Sequence, residues 1–517
     1  MTRSQTAERT APTRPEDEHL GIGSSFGYGL QHVLTMYGGI IAPPLIIGGV
    51  AGVSPQEQGL LIAACLFVGG LATILQSFGI RFFGSQLPLV QGTSFASVAT
   101  MTAIVQGEGG IQAVFGAVIA SAALGFLITP FFASIVRFFP PVVTGVVITA
   151  IGLTLFPVAA RWAMGGNAQA PGYGSVGNLG LAGLTLLIIL LLSKVGSAAI
   201  SRLSILIGLV LGTVIAALLG KADFSQVLTG DIFAVPQPLA FGPPVFEVAA
   251  IISMFIVVLV ILTETTADII AVGEIVDTEV DKKRIADGLR ADMAASTLAP
   301  LFNGFTQSAF AQNVGLVAIT GVKSRFVVTA GGVILVVLGL LPVLGRVVAA
   351  VPPPVLGGAG IVLFGSVAAS GIRTLAKVDY KNGFNLIIVA TSIGFGMLPI
   401  AVPEIYGNFP GWFETIFHSG ISSAAVMAVL LNLLFNEFRA GNPPKGQVSV
   451  FAQANVRAVR YESLEHLQDH LQEGDTIKDG KLVDCEGNEV PVITAAGEIV
   501  DTRICKPQDG RSGSSAH

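Results

Sequence analysis

Asn303-Gly-Phe-Thr-Gln307-Ser-Ala-Phe-Ala-Gln312-Asn313-Val-Gly315-Leu-Val-Ala-Ile-Thr320-Gly321 lies among long apolar runs, yet it carries side-chain amides, hydroxyls and glycines. Hydrocarbon offers such groups no hydrogen-bond partner. Polar, glycine-broken backbone at membrane depth is tolerated only where it is buried in protein or lines a cavity. An amide donates and accepts side by side, which suits the edge of a small heterocycle. The competing reading is that these amides only join helices to one another, as small polar residues do in membranes.

The surrounding composition is that of a membrane protein. The chain has 517 residues, 52% hydrophobic and 12% charged, with a mean hydropathy of +0.74. Soluble domains carry about 25% charged residues. Cys65, Cys485 and Cys505 form no disulfide framework. The polar opening of residues 1–24 gives no sign of a cleavable leader, so the first apolar run is expected to direct insertion.

Hydropathy and breaks place spans near 28–50, 57–79, 88–105, 111–134, 140–160, 178–194, 203–220, 247–275, 292–304, 309–322, 326–348, 354–373, 384–403 and 417–436. A crossing helix needs about 20 residues, so the third, ninth and tenth are too short or too interrupted to be ordinary spans. With both ends cytoplasmic, eighteen Lys and Arg fall on the inner segments, including Lys282, Lys283, Arg284 and Arg290. Only Arg161, Lys221 and Arg346 fall outside. That asymmetry sets the orientation.

An internal repeat is visible. Pro140-Pro-Val-Val-Thr-Gly145-Val-Val-Ile148-Thr-Ala-Ile-Gly152 matches Pro353-Pro-Val-Leu-Gly-Gly358-Ala-Gly-Ile361-Val-Leu-Phe-Gly365 at six of thirteen positions, at an offset of 213. Upstream, Leu124-Gly-Phe-Leu127 answers Leu338-Gly-Leu-Leu341. Spans four and five thus correspond to eleven and twelve, which implies two units of seven. An odd number of spans inverts the second unit, the architecture of many secondary transporters. The repeat pairs span ten with span three, where Gln86-Leu-Pro88-Leu-Val-Gln91-Gly92-Thr93-Ser94-Phe95-Ala-Ser97 is short and glycine-interrupted. Two half-strands meeting at midplane, each continued by a helix N-terminus, would turn N–H groups and helix dipoles toward a ligand.

The spacing Gln312-Asn313-x-Gly315-x4-Thr320-Gly321 resembles the signature of the nucleobase–ascorbate transporter family. Gln at its first position is similar to the xanthine and uric acid branch; uracil carriers usually have Glu there and ascorbate carriers Pro. Glu264-Thr265-Thr-Ala-Asp268 resembles the family's span-eight element, whose Glu accepts N–H groups of the bound base. On residues alone, a carboxylate near the bilayer centre costs on the order of 3 kcal/mol and needs a reason to be there. A salt bridge within the bundle is the alternative. Asp268, four residues on, shares its helical face; positioning of neighbours is the role left to it.

By the same resemblance, Asp292, read as opening span nine, belongs to proton-coupling machinery. The alternative is an acid favoured by a helix N-terminus. His32 in span one suits a proton relay, or a ring fixed by hydrogen bonds. Phe95 offers a face for stacking a purine, with core packing as the rival, and Ala311 joins the substrate-binding set. Ser94 stands where xanthine-selective relatives commonly have Asn, so the smaller residue leaves room for urate's extra C8 oxygen. Asn313 is expected to hold the half-strands or the span-eight acid.

Residues 441–517 hold 8 basic and 12 acidic residues. They read as a cytoplasmic tail after a Gly441–Pro444 linker, with a helical leucine stripe over Tyr461–Gln472 and short β-runs at Leu482–Cys485 and Val490–Thr494. The fold class is therefore an all-α polytopic membrane protein of fourteen transmembrane segments in two inverted repeats, with half-strands in spans three and ten. Its divisions are a segment 1–24, a transporter domain 25–440 and the tail. The resemblance implies a core of spans 1–4 and 8–11 that slides against a gate of spans 5–7 and 12–14, and a homodimer in the cell membrane. The function it implies is proton-coupled import of uric acid or xanthine, with the proton gradient as driving force and no cofactor. The partners expected are a purine base and lipid, and no nucleic acid. A uracil carrier is one alternative. An anion transporter of the same architecture would want a cation at the span-three and span-ten crossing, where the sequence has none. An enzyme would need a nucleophile or metal cluster, which two membrane-region histidines and one cysteine do not supply.

Overall fold

The computed structural model describes residues 14–132 and 140–438, apart from 226, 228, 230, 381 and 382, together with the tail strands named below. Helices occupy every expected position: α1 (Ile22–Ala51), α2 (Pro55–Phe78), α3 (Val98–Val105), α4 (Gly110–Ile128), α5 (Pro141–Met164), α6 (Val176–Val195), α7 (Ser204–Leu218), α8 (Val248–Val276), α9 (Lys282–Leu298), α10 (Ala311–Thr320), α11 (Arg325–Gly339), α12 (Pro353–Leu375), α13 (Phe384–Ala401) and α14 (Gly420–Asn432). Among the described residues, nine helices are long and apolar enough to cross a bilayer, or ten if α11 and the short helix Pro342–Ala349 count as one bent span. The chain is thus a multi-pass integral membrane protein.

Two expectations are corrected. Asp292 does not open its helix: α9 begins ten residues earlier at Lys282, capped by the Asp281 carboxylate, which accepts the Arg284 N–H at 2.7 Å. The eleventh element is not one straight helix but bends by 79° before Pro342, because proline cannot continue the hydrogen-bond ladder.

Local sequence explains the breaks. Ser54 and Glu57 form a reciprocal cap at the start of α2, with Pro55 in the first turn; such a cap is worth about 1 kcal/mol. The break after α2 holds Phe82 and Gln86 at positive φ. It is tied down by Arg284, whose guanidinium donates to the Ser85 and Gln86 carbonyls and pairs with buried Glu16.

The helices meet through glycine. α5 and α12, the halves of the visible repeat, lie antiparallel. A methyl group on Gly152 would sit 2.3 Å from the Ala368 nitrogen, one on Gly371 2.3 Å from that of Thr149, and one on Gly357 2.3 Å from that of Ala163. In lipid, close approach of this kind replaces the hydrophobic effect as the driving force between helices.

Between α2 and α3 and between α9 and α10 run two short strands, β1 (Gln91–Thr93) and β2 (Gln307–Ala309). They pair antiparallel, Gln91 opposite Ala309, Gly92 opposite Ser308 and Thr93 opposite Gln307. Ser94 N–H donates to the Thr306 carbonyl at 2.9 Å and Phe310 N–H to that of Val90 at 3.0 Å, extending the ladder at both ends. Gly92 is required here, since a Cβ would lie 2.6 Å from the Phe310 ring.

Taken by itself, the tail unit pairs β3 (Val459–Tyr461) parallel to β6 (Val492–Thr494), which pairs antiparallel with β7 (Ile499–Val500); β4 (Thr476–Lys478) and β5 (Lys481–Val483) form a hairpin. Tyr461 stands in a strand, and the rest of the leucine stripe lies outside the described residues.

Replacing Gly371 by Val should force α5 and α12 apart and cost about 1–3 kcal/mol. Gly365→Ala, whose nearest foreign atom is 3.7 Å away on Phe156, should be tolerated. Thermal unfolding of the purified variants in detergent checks this: a clear drop in Tm is expected for the first alone.

Candidate functional site

The end of β2 forms the floor of a cleft of about 150 Å³. Ser308, Ala309 and Phe310 bring the end of β2 into its wall, followed by Ala311 and Gln312 in the first turn of α10. Phe95 and Ala96 enter from the 3-10 turn before α3, Glu264 from α8, and Ser366, Val367, Ser370 and Arg373 from α12, with Ile148 and Ile151 of α5 beside them. Phe310 N-caps α10 and offers no side-chain oxygen, so the first N–H groups of that helix lack a cap from their own sequence. Such N–H groups favour an electron-rich ligand atom.

Four of the expected binding residues, Phe95, Glu264, Ala311 and Gln312, therefore share one space. Phe95 is held edge-on to Phe364 of α12, ring centroids 6.2 Å apart, and tilted against Phe310 at 6.4 Å. These contacts fix the plane that a flat ligand would meet. Glu264 forms no ion pair among the described residues. Ser94 does not line the cleft. It is 1% exposed and its hydroxyl accepts the Ala96 N–H at 3.3 Å, capping the turn that carries Phe95.

The remaining candidates form a layer behind the strands. Asp292 is buried in α9, and its Oδ2 accepts the Thr265 hydroxyl at 2.7 Å. Thr265 in turn reaches the Ala309 N–H at 3.5 Å, so the acid is one side chain removed from the cleft floor. Asp268 lies within electrostatic reach of both Glu264 and Asp292. Three carboxylates thus cluster across α8 and α9.

Asn313 differs from expectation. It holds neither the half-strands nor the span-eight acid; its Nδ2 is 3.0 Å from His32 Nδ1 and 3.2 Å from the His32 carbonyl oxygen. For the amide to donate to both, Nδ1 carries the lone pair and Nε2 the proton. The pair ties α1 to the first turn of α10, 281 residues away in sequence.

Sequence reasoning missed the α12 contribution. Arg373 counts as one more inner basic residue when only hydropathy is read, yet it stands in the wall of the same cleft as Glu264. The cation that the crossing strands lack is supplied by a different helix. The signal available in the sequence was the i, i+4, i+7 spacing of Ser366, Ser370 and Arg373, a polar stripe on an otherwise apolar helix.

Comparison with known proteins identifies related chains. The Permease family model (Xan_ur_permease) matches residues 23–405. A xanthine permease of Bacillus subtilis is 41% identical over 418 residues, covering 81% of this chain and 95% of that protein. A uric acid transporter of Escherichia coli is 38% identical over 442 residues, covering 84% and 92%. Among solved structures, the transmembrane domain of the cyanobacterial bicarbonate transporter BicA superposes with a TM-score of 0.53 at 16% identity, over 81% of this chain and 99% of that one. SLC26A9 does so with 0.54 at 14%, over 80% and 66%. Those two share the fold.

His32→Ala and Asn313→Ala should each lower stability, and the double variant should lose less than the sum. The expected coupling is about 0.5–1.5 kcal/mol, read from Tm values or denaturant midpoints of the four proteins. Additive losses would show that the contact contributes nothing.

Proposed function

The chain belongs to the Permease family of membrane transporters, and on that premise we propose that it imports uric acid and xanthine by proton symport. The observation that carries this reading is the convergence of a carboxylate, an amide, an aromatic ring and a helix N-terminus on one cleft. An oxidised purine is flat and presents alternating N–H donors and carbonyl acceptors along its edges. Glu264 accepts two adjacent ring N–H groups. Gln312 donates to a carbonyl and accepts from a neighbouring N–H. The N–H groups of Ala311 and Gln312 meet a second carbonyl at the positive end of α10, and Phe95 stacks on the ring face, with Ala311 leaving room beside it.

Urate is an anion at neutral pH, so Arg373 gives the cleft a further reason to prefer it. Ser94 acts through the turn that it caps: a larger side chain there displaces Phe95 toward the substrate. The relatives named as xanthine and uric acid carriers support a purine cargo.

Transport requires the cleft to face each side in turn. In our reading, the fourteen helices are fourteen spans in two inverted repeats, the glycine-packed pair α5 and α12 belongs to a gate, and the strand-bearing unit slides past it as an elevator. The gate also forms a homodimer, both termini are cytoplasmic, and the cell membrane is the location. Asp292 is the coupling acid: its protonation state reaches the floor through Thr265, while Asp268 and Glu264 set its electrostatic surroundings. His32 and Asn313 hold α10 in place so that this link survives the movement. The proton-motive force supplies about 2.3 kcal/mol per charge per 100 mV.

Uptake by proteoliposomes tests the whole: labelled urate or xanthine should accumulate only with an inward proton gradient and should leak back when a protonophore is added. Glu264→Gln should weaken purine binding on the order of tenfold to a hundredfold, the equivalent of losing a charged hydrogen bond. Retained affinity would remove Glu264 from the base-reading role. Asp292→Asn should keep binding and substrate exchange but no longer respond to the protonophore. Ser94→Asn should raise the concentration of cold urate needed to compete with labelled xanthine roughly tenfold or more, overpacking costing about 1–3 kcal/mol. An equal loss for both substrates would dismiss the size argument.

A further inference from the structure

Beside the strand pair, α2, α9 and α8 bring a second set of polar side chains together. Strand alternation puts Gln91 and Gln307 on one face of the ladder, since each pairs with a neighbour of the other: Gln91 with Ala309, Gln307 with Thr93. Along α9, Gly288, Asp292 and Ser296 fall on one stripe at four-residue intervals. Ser296 exchanges hydrogen bonds with the Gln307 backbone, accepting its N–H at 2.8 Å. Along α2, Thr73 accepts the Gln91 N–H at 2.9 Å, and Gln76 follows one turn later. A Cβ added to Gly288 would lie 3.3 Å from Gln76 Nε2 and 3.1 Å from the Ser85 Cβ. These contacts bring the stripes of α2 and α9 and one face of the strands together.

That face is rich in buried polar atoms to which the protein gives no partner. Among the described residues they include Asp292 Oδ1, both polar atoms of the Gln91 side chain, Gln307 Oε1, Gln76 Nε2 and Ser85 Oγ. Gln76, Ser85, Gln91 and Gln307 are fully buried and Asp292 is 1% exposed. An unsatisfied buried polar group costs about 1–3 kcal/mol, and several in one region call for a partner that both donates and accepts. Water fits that description. Gly288 lies one turn from Asp292, about 6 Å along the axis, toward the Arg284 end of α9. Ser85 lies beside Gly288, and its carbonyl accepts from Arg284 at 2.6 Å. Arg284 pairs with Glu16, whose second oxygen is again without a partner.

We propose that this face holds a file of internal waters that carries protons between Asp292 and the Ser85–Glu16 end of the bundle, apart from the cleft that carries substrate. The inference rests on Asp292 being the coupling acid. The transfer is a relay: the Asp292 carboxyl gives a proton to the first water, each water passes one on, and the last releases one past Glu16. No bond other than O–H breaks or forms. The charged groups around the file are Glu264 and Asp268 on α8, Lys283, Arg284, Asp287 and Arg290 on α9, Arg325 on α11 with its partner Asp17, and Arg14 and Glu16. β1, β2 and α10 present none, and α2 only Glu57 at its far end.

Two measurements on the full chain test this. In proteoliposomes holding a pH-sensitive dye, Gln76→Leu should keep urate counterflow within twofold of the unaltered protein, while urate-coupled proton entry falls at least tenfold. Unchanged proton entry in that variant overturns the path. If Asp292→Asn itself still moves protons with substrate, it is the reading of Asp292 that fails. Should Gln76→Leu not fold, radiolytic hydroxyl labelling of the unaltered protein decides. Ile269, whose Cδ1 lies against Gly288, and Ile261 are both fully buried. Ile269 should label at least fivefold faster than Ile261, as residues beside internal water do. Equal rates would show a dry enclosure and overturn the proposal.

Discussion

Everything in this molecule depends on two extended segments meeting where lipid would otherwise surround them. A strand in hydrocarbon must find every backbone partner within the protein. Here β1 and β2 supply one another, from Gln91 opposite Ala309 to Thr93 opposite Gln307. Thr73 takes the Gln91 N–H, Ser296 that of Gln307 and Thr265 that of Ala309. Each of those hydroxyls comes from a different helix. The crossing therefore dictates that α2, α8 and α9 stand around it, and α10, which follows β2, begins at the cleft.

The same constraint explains why chemistry concentrates there. Beginning α10 at the end of β2 brings its first N–H groups, uncapped by Phe310, to the cleft, where a polar ligand atom can meet them. The acids follow from this placement. Glu264 reaches the cleft directly, whereas Asp292 reaches its floor only through Thr265. One carboxylate thus stands at the cleft and a second behind its floor, with Asp268 in electrostatic reach of both.

Much of this was legible in the sequence, for physical reasons that can be named. Long apolar runs mark helices because lipid demands it, and the glycine-broken polar stretches at 86–97 and 303–321 could be nothing lipid-facing. What stayed hidden has equally definite causes. The first half of α9 is charged, so hydropathy reads it as loop and misplaces Asp292 at the helix start. The bend before Pro342 sits inside an unbroken apolar run, which no average reveals. The His32–Asn313 contact joins residues 281 apart, and only the crossing geometry brings them together. Arg373 was counted as a topological charge, although the tight glycine packing of α12 against α5 brings its stripe to the cleft. Ser94 is read from the resemblance as a place where relatives carry Asn, but a residue that caps a turn points into that turn.

The central claim is that this cleft is shaped for an oxidised purine. Equilibrium binding of labelled xanthine to the purified protein, competed with urate, uracil and bicarbonate, tests it most directly. The account expects urate and unlabelled xanthine to displace the label at similar concentrations, with uracil and bicarbonate at least a hundredfold weaker. Displacement by bicarbonate or uracil as readily as by urate would contradict it.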